Sequence, residues 1–377
     1  MMTETLFGLP VGVDAAIRLL IVVGVMTVVV MALIYLERKV LARFQQRLGP
    51  TRTGPMGLLQ SVADALKLIS KEDIRPKNAD PWVFELAPFL VFVPTFLGFV
   101  AVPFTIAWQV RELELGLLYV LAVSSVNILG WVMAGWGSDN RYAILGALRA
   151  VAQSISYELP LVLAMISVAM VANSLNLVEI VRQQASVPNI VWQPLPALLF
   201  FICLLAEMNR PPFDAPVGES EVVGGPYVEY SGIRWSMFFL GEYAAMFIMS
   251  LLGAAVFLGG GAWPLGEELG VGWQLLLTVV KAGAIIFLMF WTRASFPRMR
   301  VDQMMSFSWK ILLPASIAQI LVTGGILVYH LPSGLEHTLL AVTSAIGVLF
   351  VYSAINRSVA TPRPRPVVLV RRSEAAR

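Results

Sequence analysis

Five carboxylates fall within residues 206–231, AEMNRPPFDAPVGESEVVGGPYVEYS: Glu207, Asp214, Glu219, Glu221 and Glu229, with Arg210 as the nearby base. The stretch lies between two long apolar segments. Acids crowded beside a bilayer lose hydration and repel one another, which moves them toward exchanging protons near neutral pH. Carboxylates in such a place serve protons, cations or a polar headgroup rather than the fold. Glu158, Glu207, Glu242 and Lys281 add ionisable groups inside or at the ends of apolar segments. One unpaired charge at a helix centre costs about 2.5–3.5 kcal/mol on insertion scales. Two readings follow. One is a hydrated proton path through partly buried carboxylates; the other is structural ion pairing between spans, for example Lys281 with a glutamate.

The elements that must hold these groups follow from composition. The chain has 377 residues, 58% hydrophobic and 14% charged, where soluble proteins carry about 25% charged residues. This composition is that of an integral membrane protein, and nothing in it points to nucleic acid. The start, MMTETLFGLPVGVDAA, has no basic n-region or small-residue cleavage site, so the first apolar segment is expected to be a retained span. Cys203 is the single cysteine, whereas an iron–sulfur cluster takes about four thiolates. His330 and His337 fall at the ends of neighbouring apolar segments and read as interfacial polar residues. No metal site is expected, and any electron carrier is expected in another chain.

An all-α, polytopic helix bundle is predicted, a single membrane domain over 1–377. Spans need about 20 apolar residues, and nine are expected: 14–36, 84–107, 115–135, 155–173, 191–208, 236–260, 271–292, 309–330 and 337–356. Lys and Arg crowd the segments after the odd-numbered spans, whereas the other side has Arg18, Arg111 and Arg182. The bias predicts an outside N-terminus and a cytoplasmic C-terminus. It places the acidic loop, 206–235, on the cytoplasmic face. There Pro211, Pro212, Pro216, Gly218, Gly224, Gly225 and Pro226 forbid a continuous helix. Irregular backbone at membrane depth must line a cavity or be covered by protein.

Three further segments carry expectations. Residues 56–70, MGLLQSVADALKLIS, put Leu58, Val62, Leu66 and Ile69 on one face, as an amphipathic helix on the inner membrane surface does. Residues 174–190 suggest a small interfacial helix. The end of span 1, LERKVLARFQQRLGPTRTGP, suits anionic lipid, and its Gly49–Pro50 and Gly54–Pro55 steps suit docking to another subunit. The basic tail, 357–377, is expected to be extended near anionic lipid. The absence of an internal repeat argues against an autonomous secondary transporter.

Four long stretches, in order, carry a family resemblance: LIYLERKVLARFQQRLGPTRTGPMGLLQSVADALKL, GWGSDNRYAILGALRAVAQSISYE, AEMNRPPFDAPVGESEVVGGPYVEY and FWTRASFPRMRVDQMMSFSWKILLP. Over nearly its whole length the chain resembles the H subunit family of respiratory complex I, the proton-pumping NADH:quinone oxidoreductase. The resemblance implies a subunit of a multisubunit translocase in the bacterial inner membrane, with no complete active site of its own. It implies that the chain anchors the hydrophilic arm and forms most of the membrane-side wall of a quinone tunnel. The tunnel tip is implied in hydrophilic subunits near the terminal iron–sulfur cluster. Quinone is the implied substrate, and NADH, flavin and iron–sulfur clusters belong to partner subunits. Small membrane subunits are the implied neighbours in the membrane arm.

By the same resemblance, Arg38, Arg47, Asp64, Phe213 and Arg293 look like residues of the tunnel lining or entrance. Asp214, Glu219, Glu221 and Glu229 look like the acidic coupling loop. Glu158, Glu207, Glu242, Lys281 and Arg149 look like the buried relay. One departure stands out: Val217, followed by Gly218, occupies a position where the family usually has a glutamate. Related subunits in membrane-bound hydrogenases and in dehydrogenases for other donors share the acidic motif. The basic first loop and the FPRMRVDQ segment favour the quinone enzyme.

Overall fold

The computed structural model describes residues 11–264, 270–329 and 332–360, apart from the side chains of residues 11, 15, 219, 220, 333 and 357–360. His330 and the tail beyond 360 therefore lie outside the described residues. The regular elements are helices. In chain order they include α1 (Val11–Phe44), α2 (Gln60–Ser70), α3 (Pro81–Gly98), α4 (Gly116–Gly137), α5 (Arg141–Ala172), α6 (Leu177–Gln183) and α7 (Asn189–Trp192). There follow α8 (Pro194–Glu207), α9 (Glu219–Val222), α10 (Gly232–Phe257), α11 (Val271–Ser295), α12 (Val301–Phe307), α13 (Leu313–Val328) and α14 (Ser333–Ala360).

Among the described residues, eight helices are long and apolar enough to cross a membrane, with α12 and α13 counted as one. This supports an all-α polytopic bundle and differs from the nine spans expected. The difference lies at 191–208. Gln193, with φ −132° and ψ 63°, separates α7 from α8. Pro194 removes an N–H and disfavours helical backbone in the residue before it. The remaining helix has 14 residues, about 21 Å at the usual rise, against a hydrocarbon core of about 30 Å.

Two other boundaries moved for physical reasons. Helix α3 starts on the Asp80 carboxylate, which accepts from Trp82 N at 3.1 Å and Val83 N at 3.4 Å. It stops at Gly98, short of the expected 107. The following residues fold back, with Trp108 N donating to Thr105 Oγ1 at 2.8 Å and Arg111 N to Val100 O at 3.1 Å. Phe99, Val102 and Phe104 stay buried, so their apolarity reports burial rather than helix. Helix α5, expected to begin near 155, begins at Arg141 under an Asn140 cap. Ala143, Gly146, Ala147, Ala150 and Gln153 are buried along one face of this added part, the spacing of an amphipathic helix.

Helix α10 is the centre, buried along most of its length between α1, α3 and α11. Helix α5 packs on α4, α8 and α13. Small residues permit these close crossings: a Cβ at Gly130 would lie 2.5 Å from Val91. Between α12 and α13 the helix widens to a π turn at Ser308–Leu312. There Ser308 donates to Ser156 O and Trp309 Nε1 donates to Ser156 Oγ at 3.1 Å. Further along, Gln319 Nε2 donates to Ser344 Oγ of α14 at 3.0 Å.

Candidate functional site

The acidic loop is held against the bundle by three devices. Gln153 of α5 is fully buried and its amide nitrogen donates to Ala206 O at 2.6 Å and Phe213 O at 2.7 Å. Gly146 of α5 meets Gly225 of the loop so closely that a Cβ at Gly146 would lie 2.5 Å from the Gly225 Cα. Gly225 has φ +61°, and a Cβ there would lie 2.0 Å from Pro216 O. Charged and polar side chains complete the attachment. Arg149 pairs with Glu221, Asn140 Nδ2 donates to Glu229 Oε1 at 2.6 Å, and Arg298 donates to the Asp214 carbonyl.

Beneath the loop is a cavity of about 870 Å³. Its walls include Arg210, Asp214, Val217, Tyr227, Glu242 and Arg293. Arg210 is buried and bridges two helices: Glu37 of α1 at 3.4 Å and Glu242 of α10 at 3.3 Å. Its guanidinium also lies 4.7 Å from the Tyr243 ring centroid. Arg293 of α11 pairs with the same Glu37. Two guanidiniums thus share two carboxylates. Burial disfavours the Arg210 charge, but the carboxylates of Glu242 and Glu37 outweigh it and hold the guanidinium firmly protonated. Burial pushes the Tyr227 phenol well above its usual value, with Glu242 adding to the rise. Its hydroxyl is a buried donor with no hydrogen-bond partner among the described residues.

A second, smaller cavity of about 50 Å³ is walled by Thr95, Ser124, Asn127, Glu207 and apolar residues of α3, α4, α5 and α10. Its volume holds about three to four waters. Asn209 and Glu242 line both cavities. Beside it, Ser125 of α4 is hydrogen-bonded to Glu158 of α5.

The residues singled out in the sequence divide accordingly. Arg293, Asp214 and Glu242 share the large cavity, and Glu207 and Glu242 share the small one. Val217 puts an apolar side chain on the wall. Glu221 binds α5 and Glu229 binds its cap residue, while the side chain of Glu219 lies outside the described residues. Arg38 and Asp64 join α1 to α2 at 2.6 Å, and exposed Arg47 bonds Gln45 at 2.7 Å. Neither group reaches the cavities. Phe213 is packed between Tyr157 and Phe307, with centroids at 5.2 and 6.3 Å, rather than on a cavity wall. Lys281 is far from the other relay candidates along α10. Its ammonium donates to Leu258 O at 2.6 Å, Gly260 O at 2.7 Å and Trp263 O at 2.5 Å.

Sequence reasoning missed Glu37, Arg298, Tyr227, Tyr243 and Gln153. Glu37 shows in sequence only as an acid near the end of an apolar segment, directly before the basic residues Arg38 and Lys39. Among the described residues no group of three or more His, Cys, Asp or Glu is placed to hold a metal ion.

The family model for NADH dehydrogenase matches residues 17–324, most of the chain and both cavities. The chain belongs to the H subunit family of NADH-quinone oxidoreductase. It is 46% identical over 319 residues to the H subunit of the Brevibacillus brevis enzyme, covering 84% of this chain and 93% of that one. It is 48% identical over 313 residues to the H subunit from Geobacillus thermodenitrificans, covering 82% and 91%. For the H subunit from Carboxydothermus hydrogenoformans the figures are 44% over 332 residues, 87% and 94%. Within this family member, the charged cluster of Glu37, Arg210, Glu242 and Arg293 is contributed by α1, the loop, α10 and α11.

Proposed function

We propose that the chain is the membrane subunit of a proton-translocating NADH:quinone oxidoreductase that walls the quinone's path and starts the coupling of its reduction to proton movement. The observation that carries this reading is the pair of cavities sharing Asn209 and Glu242. The larger has the size of a ligand pocket, about 300–1,000 Å³. Its walls combine aromatic rings with Arg210, Arg293 and the Tyr227 hydroxyl, donors suited to a carbonyl headgroup that gains negative charge. Arg38, Asp64 and Arg47 then belong to the entrance on the α1–α2 side, and Phe213 positions the loop. The hydrophilic arm docks on the loop face, which the Lys and Arg bias makes cytoplasmic. The N-terminus is then outside and α8 is a short, partly spanning segment.

Charge in a low-dielectric site acts at longer range than in water. Negative charge appearing in the large cavity competes with Glu242 and Glu37 for the two guanidiniums. A proton taken up by Glu242 relieves that competition, and the small cavity, lined by Glu242 and Glu207, leads from one to the other, with Glu158 the next carboxylate on α5. Val217 costs the loop one carboxylate but leaves this route whole. Glu242→Gln in the assembled complex should abolish proton translocation and cut quinone reduction, measured in proteoliposomes. Wild-type rates of both in that variant would overturn the proposal.

A further inference from the structure

The hydroxyl of Ser125 on α4 reaches two acceptors. One is Leu121 O in its own helix, at 3.0 Å; the other is Glu158 Oε1 on α5. A hydroxyl has one proton to give and two lone pairs to accept with. An ionised Glu158 only accepts, so it takes the Ser125 proton. A protonated Glu158 has its own proton to donate. It gives it to Ser125 Oγ, and the Ser125 proton turns to Leu121 O.

Neither arrangement leaves the carbonyl without a partner, because Ser124 Oγ donates to the same Leu121 O at 2.8 Å. Ser124 also lines the small cavity with Glu207. Glu207, on α8, is the ionisable neighbour that feels the charge of Glu158. From α4 the group that meets the Glu158 carboxyl is the uncharged Ser125 hydroxyl. Ordinarily a carboxyl half-buried between helices, as Glu158 is, is hydrogen-bonded better in one protonation state than in the other. A hydroxyl with a spare acceptor beside it removes that asymmetry.

We propose that Ser125 is a positioning residue, a two-position hydroxyl that keeps Glu158 hydrogen-bonded whether or not it carries its proton. The proposal rests on Glu158 belonging to the proton relay. In this arrangement a proton arrives at and leaves the Glu158 carboxyl by rotation of one C–O bond, with α4 and α5 unmoved. Within the pair the carboxyl O–H is the one covalent bond made or broken, matched by the O–H of the water or carboxyl that gives or takes the proton.

The test uses the assembled oxidoreductase in membranes, with Ser125→Ala, Ser125→Thr, Ser125→Cys and Glu158→Gln. Redox-induced infrared difference spectra report the protonated carboxyl band, and the band lost in Glu158→Gln assigns it. Ser125→Ala should move that band and cut proton-coupled quinone reduction about tenfold, the factor one charge-assisted hydrogen bond commands. Ser125→Thr keeps a hydroxyl and should restore both. Ser125→Cys, with its weaker donor, should fall between, and it serves if the alanine variant fails to assemble. If Glu158→Gln still pumps, the relay reading fails and this proposal with it. If Glu158→Gln stops pumping while Ser125→Ala and Ser125→Cys keep the wild-type band and rate, the Ser125 proposal alone is overturned.

Discussion

Two cations at opposite ends of α10, one buried and one half-buried, are held by different kinds of partner. Arg210, near the loop end of α10, is surrounded by Glu37 and Glu242 with the Tyr243 ring beside it. Lys281, past the other end of α10, is held by the carbonyls of Leu258, Gly260 and Trp263, with the Trp263 ring 5.3 Å away. Carboxylates change charge when a proton binds; carbonyls do not. In the first arrangement the partners can themselves take a proton, while in the second they are dipoles at the end of a helix, where carbonyls favour a cation. An ionisable residue in a membrane helix is therefore a functional candidate only once its partners are known.

Substitutions can break or sharpen this contrast. The largest effect is expected for Arg210→Met, which takes the cation partner from half-buried Glu242 and leaves buried Glu37 with Arg293 alone. Breaking such a network costs about 3–5 kcal/mol, so the complex should melt at lower temperature and lose quinone reductase activity. A variant that stays stable and active would show that Glu242 does not need the Arg210 guanidinium and that Arg293 suffices for Glu37. Lys281→Met removes the donor to three carbonyls and should cost about 1–3 kcal/mol of thermal stability. Protons moved per quinone should stay unchanged; a lower ratio in intact complex would place Lys281 among the responsive charges and erase the contrast.

Gly146→Ala tests whether the cavity depends on where the loop is seated. The added methyl must displace Gly225, at about 1–3 kcal/mol for overpacking, and the Michaelis constant for quinone should rise with little change in assembly. The smallest effect is expected for Arg149→Ala. Its partner Glu221 is 42% exposed on its side chain, and half-exposed pairs contribute about 0.2–1 kcal/mol. Stability should hardly change, while activity becomes less sensitive to added salt.

The bundle itself was legible because a lipid-facing helix must be apolar over its whole length, and eight such helices do appear among the described residues. What misled was apolarity with another cause. Residues 99–107 are hydrophobic because a buried loop packs under α10, and 191–208 is apolar yet broken by Gln193 and Pro194. The acidic loop announced itself through its prolines and glycines. Its contact with α5 did not, since the Gly146–Gly225 approach joins residues far apart in the chain. Glu37 was hidden for the same reason: its meaning comes from Arg210 and Arg293, which only folding brings to it. Lys281 shows the converse, a charge conspicuous in sequence whose partners are backbone atoms that no side-chain pattern can reveal.

The π turn at 308–312 works as a phase shifter. One surplus residue in a helix rotates everything after it by about 100°. Before the turn, α12 addresses α5, where the Tyr157 hydroxyl donates to Met304 O at 2.9 Å. After it, α13 turns Gln319 toward Ser344 on α14. Because α13 also stays packed on α5, a single continuous rod keeps one neighbour along its length and takes on a second after the turn. Excising one residue from the wide turn would put the two halves back in step and force a choice between holding the loop's aromatic anchor and holding the last helix.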